Sequence, residues 1–232
     1  MSNPYFRFKR FIVRHDLCAM KVGTDGVLLG AWASVENVEK ILDIGTGSGL
    51  IALMLAQRSK AFIETIDVDE NACKQAKINF ENSVFRDRLT IEKIPFQDFP
   101  SSNKYDLLVS NPPYFSNSLK SPDNSRNFAR HNDCLTLSDL INKSVSLLNP
   151  LGKLALILPF ENFESANFLA TENNLFLCRK TAVMSIPNQP PKRVLLEYSL
   201  HKTDLLENEL YIEKSRKVYS EEYLALTKDF YL

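Results

Sequence analysis

Short apolar runs alternate with longer amphipathic stretches along most of the chain, from Val38 onwards. KILDIG and AFIETID have the length and apolar content of buried strands, whereas SGLIALMLAQRS and ENACKQAKINFENS have those of helices. Further strands are predicted at LTIEKI, YDLLVS, GKLALILP, LFLCRKTAVMSI and RVLLEYSL, and further helices at TLSDLINKSVSLLN and FENFESANFLATENN. This alternation predicts an α/β fold, with a parallel sheet covered by helices on both faces.

The last predicted strand departs from the parallel arrangement of the others. The loop PNQPPK that joins it to the preceding strand is too short for the crossover that parallel neighbours need. We therefore predict a seven-stranded, mostly parallel sheet whose final strand, RVLLEYSL, is antiparallel.

Composition narrows the class of protein. The chain has 232 residues, 44% of them hydrophobic, and can bury a substantial core as one large domain. Its 28 basic and 28 acidic residues cancel, so the overall charge demands neither a nucleic acid nor a membrane partner. Four dispersed cysteines and three distant histidines give no metal-ligand or disulfide pattern. We therefore expect a protein of the reducing cytoplasm that binds no metal. Since no apolar run approaches ~18 residues, we also expect no membrane partner.

The first fifteen residues, MSNPYFRFKRFIVRH, depart from this balance of charge. They contain Arg7, Lys9, Arg10 and Arg14 but no acid, and four aromatic residues are interleaved with these cations. Such a segment suits a phosphate backbone and stackable bases. An edge strand that alternates between core and solvent explains the same residues, so both interpretations stay open.

Six of the seven glycines lie between residues 23 and 49, which marks backbone that turns tightly or approaches something closely. Gly45, Gly47 and Gly49 follow a predicted strand and open a helix, the context in which a glycine loop binds a nucleotide-like ligand. No G-K-[ST] follows, and Asp43 precedes the loop, where a carboxylate would repel a pyrophosphate but attract a cation. An ordinary turn would explain the glycines alone. With the carboxylates included, we predict S-adenosylmethionine, which carries an adenosine and a positive charge.

Acidic residues after the second and third predicted strands are candidates for contacts with the cofactor. Asp67 ends the second strand 18 residues after the glycine loop, near the roughly 20-residue spacing of a ribose-binding carboxylate. Asp69 competes for this role but is better placed to cap the next helix. Asp98 either binds the adenine amino group or is a solvated loop acid. Their neighbours Val68 and Phe99 are assigned to the same predicted cofactor site.

The segment YDLLVSNPPYFSN ends an apolar run with Asn111, Pro112, Pro113 and Tyr114. The prolines stop the strand and stiffen the backbone. The Asn111 side-chain oxygen and the Pro112 carbonyl could accept both N–H bonds of a nucleobase amine, and Tyr114 could stack on the base. We therefore predict catalysis by positioning, with Asn111 also touching the cofactor. The alternative is an ordinary turn with a packing tyrosine.

Asp43–Gly49, Asp67 and Asn111–Tyr114 resemble motifs of class I amino-methyltransferases, Rossmann-like enzymes that modify an adenine or glutamine nitrogen. Four further blocks are similar to the bacterial tRNA(Val) adenine-N6 methyltransferases, which act beside the anticodon at position 37: MKVGTDGVLLGAWA, ARHNDCLTLSDL, KRVLLEY and YSEEYLALTKDFYL. The resemblance implies a class I methyltransferase fold, S-adenosylmethionine as cofactor and tRNA as partner. Two alternatives remain, a protein glutamine N5-methyltransferase and a non-catalytic RNA-binding module on the same fold.

Three segments follow from these patterns. Residues 1–35 are expected to form a basic and aromatic segment with a turn that covers the cofactor, in which Lys21 and Thr24 belong to the predicted cofactor site. Residues 36–200 are expected to form the methyltransferase core, and residues 201–232 an extension packed on the same domain. No obligatory protein partner is indicated.

A basic rim is predicted around the reacting base. The loop after the sixth strand should emerge at the carboxyl edge of the sheet, where ligands bind in open parallel sheets. Ordinary solvated charges are the alternative for each member of this rim. The predicted substrate-binding residues are Arg7, Lys9, Arg10, Arg130, His131, Lys192 and Arg193.

Overall fold

The computed structural model describes residues 3–18, 20–100, 102–113 and 135–232. In chain order its strands are β1 (Tyr5–Arg7), β2 (Ile12–Arg14), β3 (Lys40–Ile44), β4 (Phe62–Asp67), β5 (Leu89–Lys93), β6 (Tyr105–Ser110), β7 (Leu148–Pro159), β8 (Phe176–Met184), β9 (Arg193–Ser199), β10 (Leu206–Tyr211), β11 (Glu213–Ser215) and β12 (Val218–Tyr219). Its α-helices are α1 (Thr24–Trp32), α2 (Leu50–Arg58), α3 (Glu70–Glu81), α4 (Leu137–Leu147), α5 (Phe163–Glu172) and α6 (Glu221–Thr227).

One central sheet has the strand order β10-β8-β9-β7-β6-β3-β4-β5. Strand β9 is antiparallel to both neighbours, β7 and β8, and the other pairings in this sheet are parallel. The predicted α/β fold class and the antiparallel strand RVLLEYSL are therefore confirmed.

An eighth strand, β10, adds one strand to the seven that the sequence predicts. It pairs with β8 at the edge of the sheet, and its first four residues are exposed. Because an exposed edge strand buries few side chains, its segment LENELY lacks the apolar run by which the other strands are recognised.

Two apolar clusters form the core, one on each face of the sheet. One contains buried residues of α1, α2 and α3, and the other contains buried residues of α4 and α5. Helices on both faces were predicted and are confirmed. None of the helices in the described residues is long and apolar enough to cross a membrane.

Helix α1 lies where the sequence predicts a turn. Residues 26–32 are buried all round, so the segment shows little of the apolar periodicity that marks an amphipathic helix. A Cβ on Gly30 would lie 2.9 Å from atoms of Met54, and one on Gly26 would lie 3.0 Å from Leu50. These glycines therefore let α1 pack closely against α2, which is the close approach that their clustering predicts.

The N-terminal segment forms an antiparallel hairpin, β1–β2, that is separate from the central sheet. In β2, Val13 is buried while Ile12 and Arg14 are exposed, so the predicted alternation is present, but in a hairpin and not in an edge strand. The Asn79 side chain on α3 accepts a hydrogen bond from Arg14 N at 2.9 Å and donates one to Arg14 O at 2.8 Å. The hairpin is thereby fixed to the outer helix layer.

Candidate active site

Three neighbouring strands end at the same level on the carboxyl edge of the sheet. Ile44 of β3 is the register partner of Ile66 in β4 and of Ser110 in β6. The next residue is Gly45 after β3, Asp67 in β4 and Asn111 after β6. Adjacent strands are about 4.8 Å apart, so the three residues lie in a row roughly 10 Å wide. The Ser110 hydroxyl donates to the Ile44 carbonyl oxygen at 2.8 Å and ties two of these ends together.

A cleft of about 600 Å³ lies over this row, a size typical of small-molecule sites. Seven of its lining residues were predicted as site residues: Gly45, Gly47, Asp67, Val68, Asn111, Pro112 and Pro113. The other lining residues were not: Cys18, Met20, Ile44, Ile66, Asp69, Ala72, Ile94, Phe96, Gln97 and Leu135. Most of the latter are apolar, and such walls suit a heterocyclic ring.

The glycine loop fronts this cleft. Gly45 and Gly47 have left-handed backbones, with φ values of 73° and 57°, and a Cβ on either would meet nothing within 4 Å. The space beside their backbones is therefore open to a ligand. Gly49 has a different task, because a Cβ there would overlap the ring of Phe80 on α3.

The Asp67 carboxylate is fixed by two backbone groups of its surroundings. Its Oδ2 accepts a hydrogen bond from Gly47 N at 2.8 Å, and its Oδ1 accepts one from Asp69 N at 2.9 Å. Each oxygen keeps a second lone pair with which to accept a hydroxyl. Asp69, its competitor, caps α3 as predicted and accepts from Asn71 N at 2.9 Å. The geometry therefore favours Asp67 for a ribose contact.

Asp43 lies beneath the loop and is completely buried. Its Oδ2 accepts a hydrogen bond from the Thr46 hydroxyl at 2.6 Å, whereas its Oδ1 has no hydrogen-bond partner. Burial raises the pKa of this carboxyl to about 7, against the lowering effect of the Thr46 hydrogen bond. A cation in the cleft would favour the ionised form of the Asp43 carboxyl group. This carboxylate therefore fits the positively charged ligand that we predict.

Six of the predicted cofactor residues do not line the cleft: Asp43 and Gly49, described above, and Lys21, Thr24, Asp98 and Phe99. All cofactor assignments stay predictions. Lys21 and Thr24 are exposed near the start of α1, just beyond Met20, which does line it. Asp98 is exposed at the end of a single 3₁₀ turn, and Phe99 is buried with its ring centre 6.3 Å from that of Tyr105. The structure instead brings the neighbouring residues Ile94, Phe96 and Gln97 into the cleft.

The thiol of Cys18 also lines the cleft. Burial is the main cause that raises its pKa to about 11, and the nearby Asp67 carboxylate raises it further. The thiolate is the nucleophilic form of cysteine. At neutral pH this side chain is therefore a neutral packing group and not a nucleophile.

Two predicted substrate residues, Lys192 and Arg193, lie on the same edge of the sheet as the cleft. Arg193 opens β9 and is the register partner of Pro159 at the end of β7. Its Nε donates to the Asp25 carboxylate of α1 at 2.9 Å, whereas the Lys192 side chain is exposed. The predicted emergence of this loop at the carboxyl edge is confirmed.

The N-terminal cations lie elsewhere. Arg7, Lys9 and Arg10 line a second groove of about 620 Å³, between the hairpin and α3, together with Arg14. The Arg10 guanidinium lies 5.3 Å from the ring centre of Phe85. The structure thus places the described substrate candidates in two separate groups. Three predicted site residues lie outside the described residues and stay predictions: Tyr114, Arg130 and His131.

Comparisons with known proteins agree with this geometry. Residues 23–166 match the family described as methyltransferase small domain. The whole chain is 54% identical over 235 residues to the tRNA1(Val) (adenine(37)-N6)-methyltransferase of Parabacteroides distasonis, and 50% identical over 232 residues to that of Phocaeicola vulgatus. Each alignment covers 99% of the relative.

A solved structure supports the fold alone. A predicted O-methyltransferase from Agrobacterium tumefaciens superposes with a TM-score of 0.71 at 16% identity, over 89% of this chain and 96% of that protein.

The sheet, the glycine loop and the cleft define a class I methyltransferase, for which S-adenosylmethionine is the methyl donor. Within this class the chain belongs to the tRNA1(Val) (adenine(37)-N6)-methyltransferase family. The predicted family, fold class, enzyme class and cofactor are confirmed.

Proposed function

We propose that this chain transfers a methyl group from S-adenosylmethionine to the exocyclic N6 amine of adenine 37 in tRNA1(Val). Relatives named for this reaction match the chain from end to end. The observation that carries the proposal is the alignment of Asp67, Gly45 and Asn111 at three adjacent strand ends. This row then offers the Asp67 carboxylate and an open glycine loop to the methyl donor, and the Asn111 side-chain amide to the methyl acceptor.

The cofactor side of the cleft fits an adenosine with a cationic tail. Bound S-adenosylmethionine supplies a methyl group made electrophilic by its sulfonium. Asp67 would accept hydrogen bonds from ribose hydroxyls, the open side of Gly45 and Gly47 would accommodate the ligand, and apolar walls such as Phe96 would exclude water from the ring. Asp43 would hold negative charge beneath the loop.

The acceptor side would work by positioning. Asn111 is half-buried and Pro112 is buried, so both oxygens of the proposed amine clamp stand on a restricted backbone. Holding both N–H bonds of an adenine amine would direct its lone pair towards the methyl group. Once methylated, that nitrogen is strongly acidic and can lose its proton to water, so no strong base is required. Tyr114 would stack on the base.

The other predicted contacts and the cellular location fit the same proposal. The groove that contains Arg7, Lys9, Arg10 and Arg14 would contact tRNA phosphates, and Lys192 would lie beside the reacting base. Cytoplasmic action is proposed because tRNA is found there and because the described cysteines, Cys18, Cys73 and Cys178, are free thiols. The division of the chain into residues 1–35, 36–200 and 201–232 also stays a proposal.

One experiment separates this function from a protein glutamine acceptor and from a non-catalytic module. The purified protein would be incubated with methyl-labelled S-adenosylmethionine in two parallel reactions, one containing total RNA and the other total protein. We expect label only in RNA of tRNA size, and far slower labelling with Asn111→Ala. Label in protein would support the glutamine alternative, and no label in either pool would contradict the proposal.

A further inference from the structure

A second basic hairpin, β11–β12, follows β10 at the carboxyl edge of the sheet. Its tip carries Lys214, Arg216 and Lys217, all exposed, within the run KSRK. No carboxylate of the described residues lies within 4.0 Å of these three cations. With the acid Glu213 included, the hairpin from Glu213 to Tyr219 has a net charge of +2 (three cations minus one acid) in a chain of zero net charge, so it forms a local positive patch.

The path of the chain carries this patch beyond the edge on which the cleft opens. Strand β10 runs parallel to β8, so both end at the carboxyl edge, where Tyr211 is the register partner of Met184. Ile212 N and Glu213 N continue the pairing and donate to Met184 O and Ser185 O, each at 2.9 Å. The three residues of β11 then extend roughly 10 Å further.

The patch is held in place by its own contacts. Ser220 N donates to Ile212 O at 3.0 Å, and the Ser220 hydroxyl donates to the Tyr211 carbonyl, which closes the base of the hairpin. Lys217 N donates to the Glu213 carboxylate at 2.9 Å, at a residue whose φ is 65°. The nearby acids Glu221 and Glu222 belong to the first turn of α6, where a helix favours negative charge.

An aromatic residue accompanies the cations. Tyr219, which pairs with Glu213 across the hairpin, is half exposed, at 51%, and its ring centre lies 5.1 Å from that of Tyr223. Interleaved cations and exposed aromatic rings suit a nucleic-acid backbone and its bases. A protein partner would need an acidic complement, whereas the proposed substrate carries a phosphate on every nucleotide.

The position of the patch fits the substrate of the proposed function. Four strand spacings separate β10 from β6, so the patch lies on the order of 20 Å from Asn111 on the acceptor side of the cleft. A nucleotide that enters the cleft leaves its flanking backbone to run over the rim of the sheet. The β1–β2 hairpin packs on α3, and the rings of Tyr231 and Tyr223 connect it to Tyr219 of β11–β12.

We propose that Lys214, Arg216 and Lys217 contact phosphates of the substrate RNA and thereby hold it from the acceptor side of the cleft. This inference rests on the proposed function, since it assigns a surface to the same substrate. Phosphate contacts position a nucleic acid without reading its sequence, so the patch contributes affinity and register and not the choice of base.

The test compares tRNA binding by two triple variants with equal loss of charge. The first is Lys214→Gln, Arg216→Gln and Lys217→Gln. The matched control is Lys60→Gln, Lys104→Gln and Lys202→Gln, three exposed lysines at the ends of strands on the opposite, amino edge. Binding of tRNA1(Val) transcript would be measured at several salt concentrations, and S-adenosylmethionine binding by calorimetry.

We expect the hairpin variant to bind tRNA at least tenfold more weakly in low salt, with the slope of log K against log salt reduced by about two units. The control and the cofactor dissociation constants should match wild type. If wild type binds tRNA and both triple variants share its salt slope, the inference is wrong while the proposed function stands. If wild type does not bind tRNA, both are wrong.

Discussion

The cofactor side of the cleft and the hairpins that we propose as RNA-binding surfaces are built in different ways. The cofactor side consists of residues that follow strands directly, and Gly47 is held by Asp67, only 20 residues away in sequence. The β1–β2 hairpin depends on the other end of the chain, because Lys9 N donates to Phe230 O at 2.9 Å, across 221 residues. The cleft is therefore fixed by neighbouring strand ends, whereas the β1–β2 hairpin is fixed by the meeting of the two termini.

This contrast predicts that the two regions fail separately. Changes at strand ends should alter turnover or cofactor affinity and leave RNA affinity unchanged. Changes in the hairpins should alter RNA affinity and leave the cofactor unaffected.

Asn111→Ala should collapse turnover while the fold and cofactor affinity stay nearly intact. The change removes an acceptor that directs the lone pair of the amine, and by analogy with one oxyanion-hole donor the rate should fall on the order of 10²–10³-fold. Single-turnover methylation of tRNA1(Val) measures the loss. Asn111→Asp keeps an acceptor of similar shape and should retain more activity, and equal rates for both variants would contradict the role.

Asp43→Asn should change how stability depends on pH. The pKa of Asp43 is about 7 in the folded protein and about 3.9 in an unfolded chain, so the folded state binds more protons and stability falls as pH rises from about 4 to 7. Asparagine cannot ionise and avoids this loss. The difference in free energy of unfolding, variant minus wild type, should grow by up to about 4 kcal/mol over this window.

Urea denaturation at a series of pH values provides this measurement. Parallel pH profiles for the Asp43→Asn variant and wild type would show that Asp43 ionises normally beneath the loop.

Asp67→Ala should weaken S-adenosylmethionine binding. One charge-assisted hydrogen bond is worth roughly 1.5–3 kcal/mol, so loss of the two ribose contacts should weaken binding by at least about 10–150-fold in dissociation constant. Calorimetry on the folded variant measures the change, and tRNA affinity should stay at the wild-type value. Asp69→Ala is the control, since it removes a helix cap beside the same cleft; a larger effect there would move the ribose contact to Asp69.

Replacing Arg7, Lys9 and Arg10 together with glutamine should weaken tRNA binding and flatten its dependence on salt, because phosphate contacts release counterions. Cofactor affinity should be unaffected. A wild-type salt slope in this variant would show that the β1–β2 hairpin is a structural element only.

Arg193→Ala and Asp25→Asn should have the smallest effects. Their ion pair is partly exposed, with side-chain exposures of 33% and 24%, so each change should cost at most about 1 kcal/mol of stability. Because the residues act as a pair, the double variant should lose little more than either single one. A lower salt slope for tRNA binding in Arg193→Ala alone would instead place Arg193 on the RNA.

Local pattern made the cofactor side predictable from sequence. Each predicted strand of the central sheet up to Ser199 is present, and the residues that follow β3, β4 and β6 form the cleft. In a parallel sheet the carboxyl ends share one edge, so a motif after a strand has a known position.

Other features depend on distant contacts and could not be predicted this way. Helix α1 is buried all round, and β10 is an exposed edge, so neither shows the usual period. Cys18 and Met20 reach the cleft because the chain runs back along α3, where Leu17 N donates to Gln75 at 2.9 Å. No local signal in the sequence specifies that path.

We propose that one row of strand ends holds the methyl donor at Asp67 and the acceptor amine at Asn111. The most direct test is mass spectrometry of tRNA1(Val) after reaction with wild type, Asp67→Ala and Asn111→Ala. We predict one methyl group per tRNA, on N6 of adenine 37, with no product when that adenine is replaced by guanine. The Asp67 variant should recover at high cofactor concentration, and the Asn111 variant should not. A methyl group on another nucleotide, or full product from Asn111→Ala, would contradict the account.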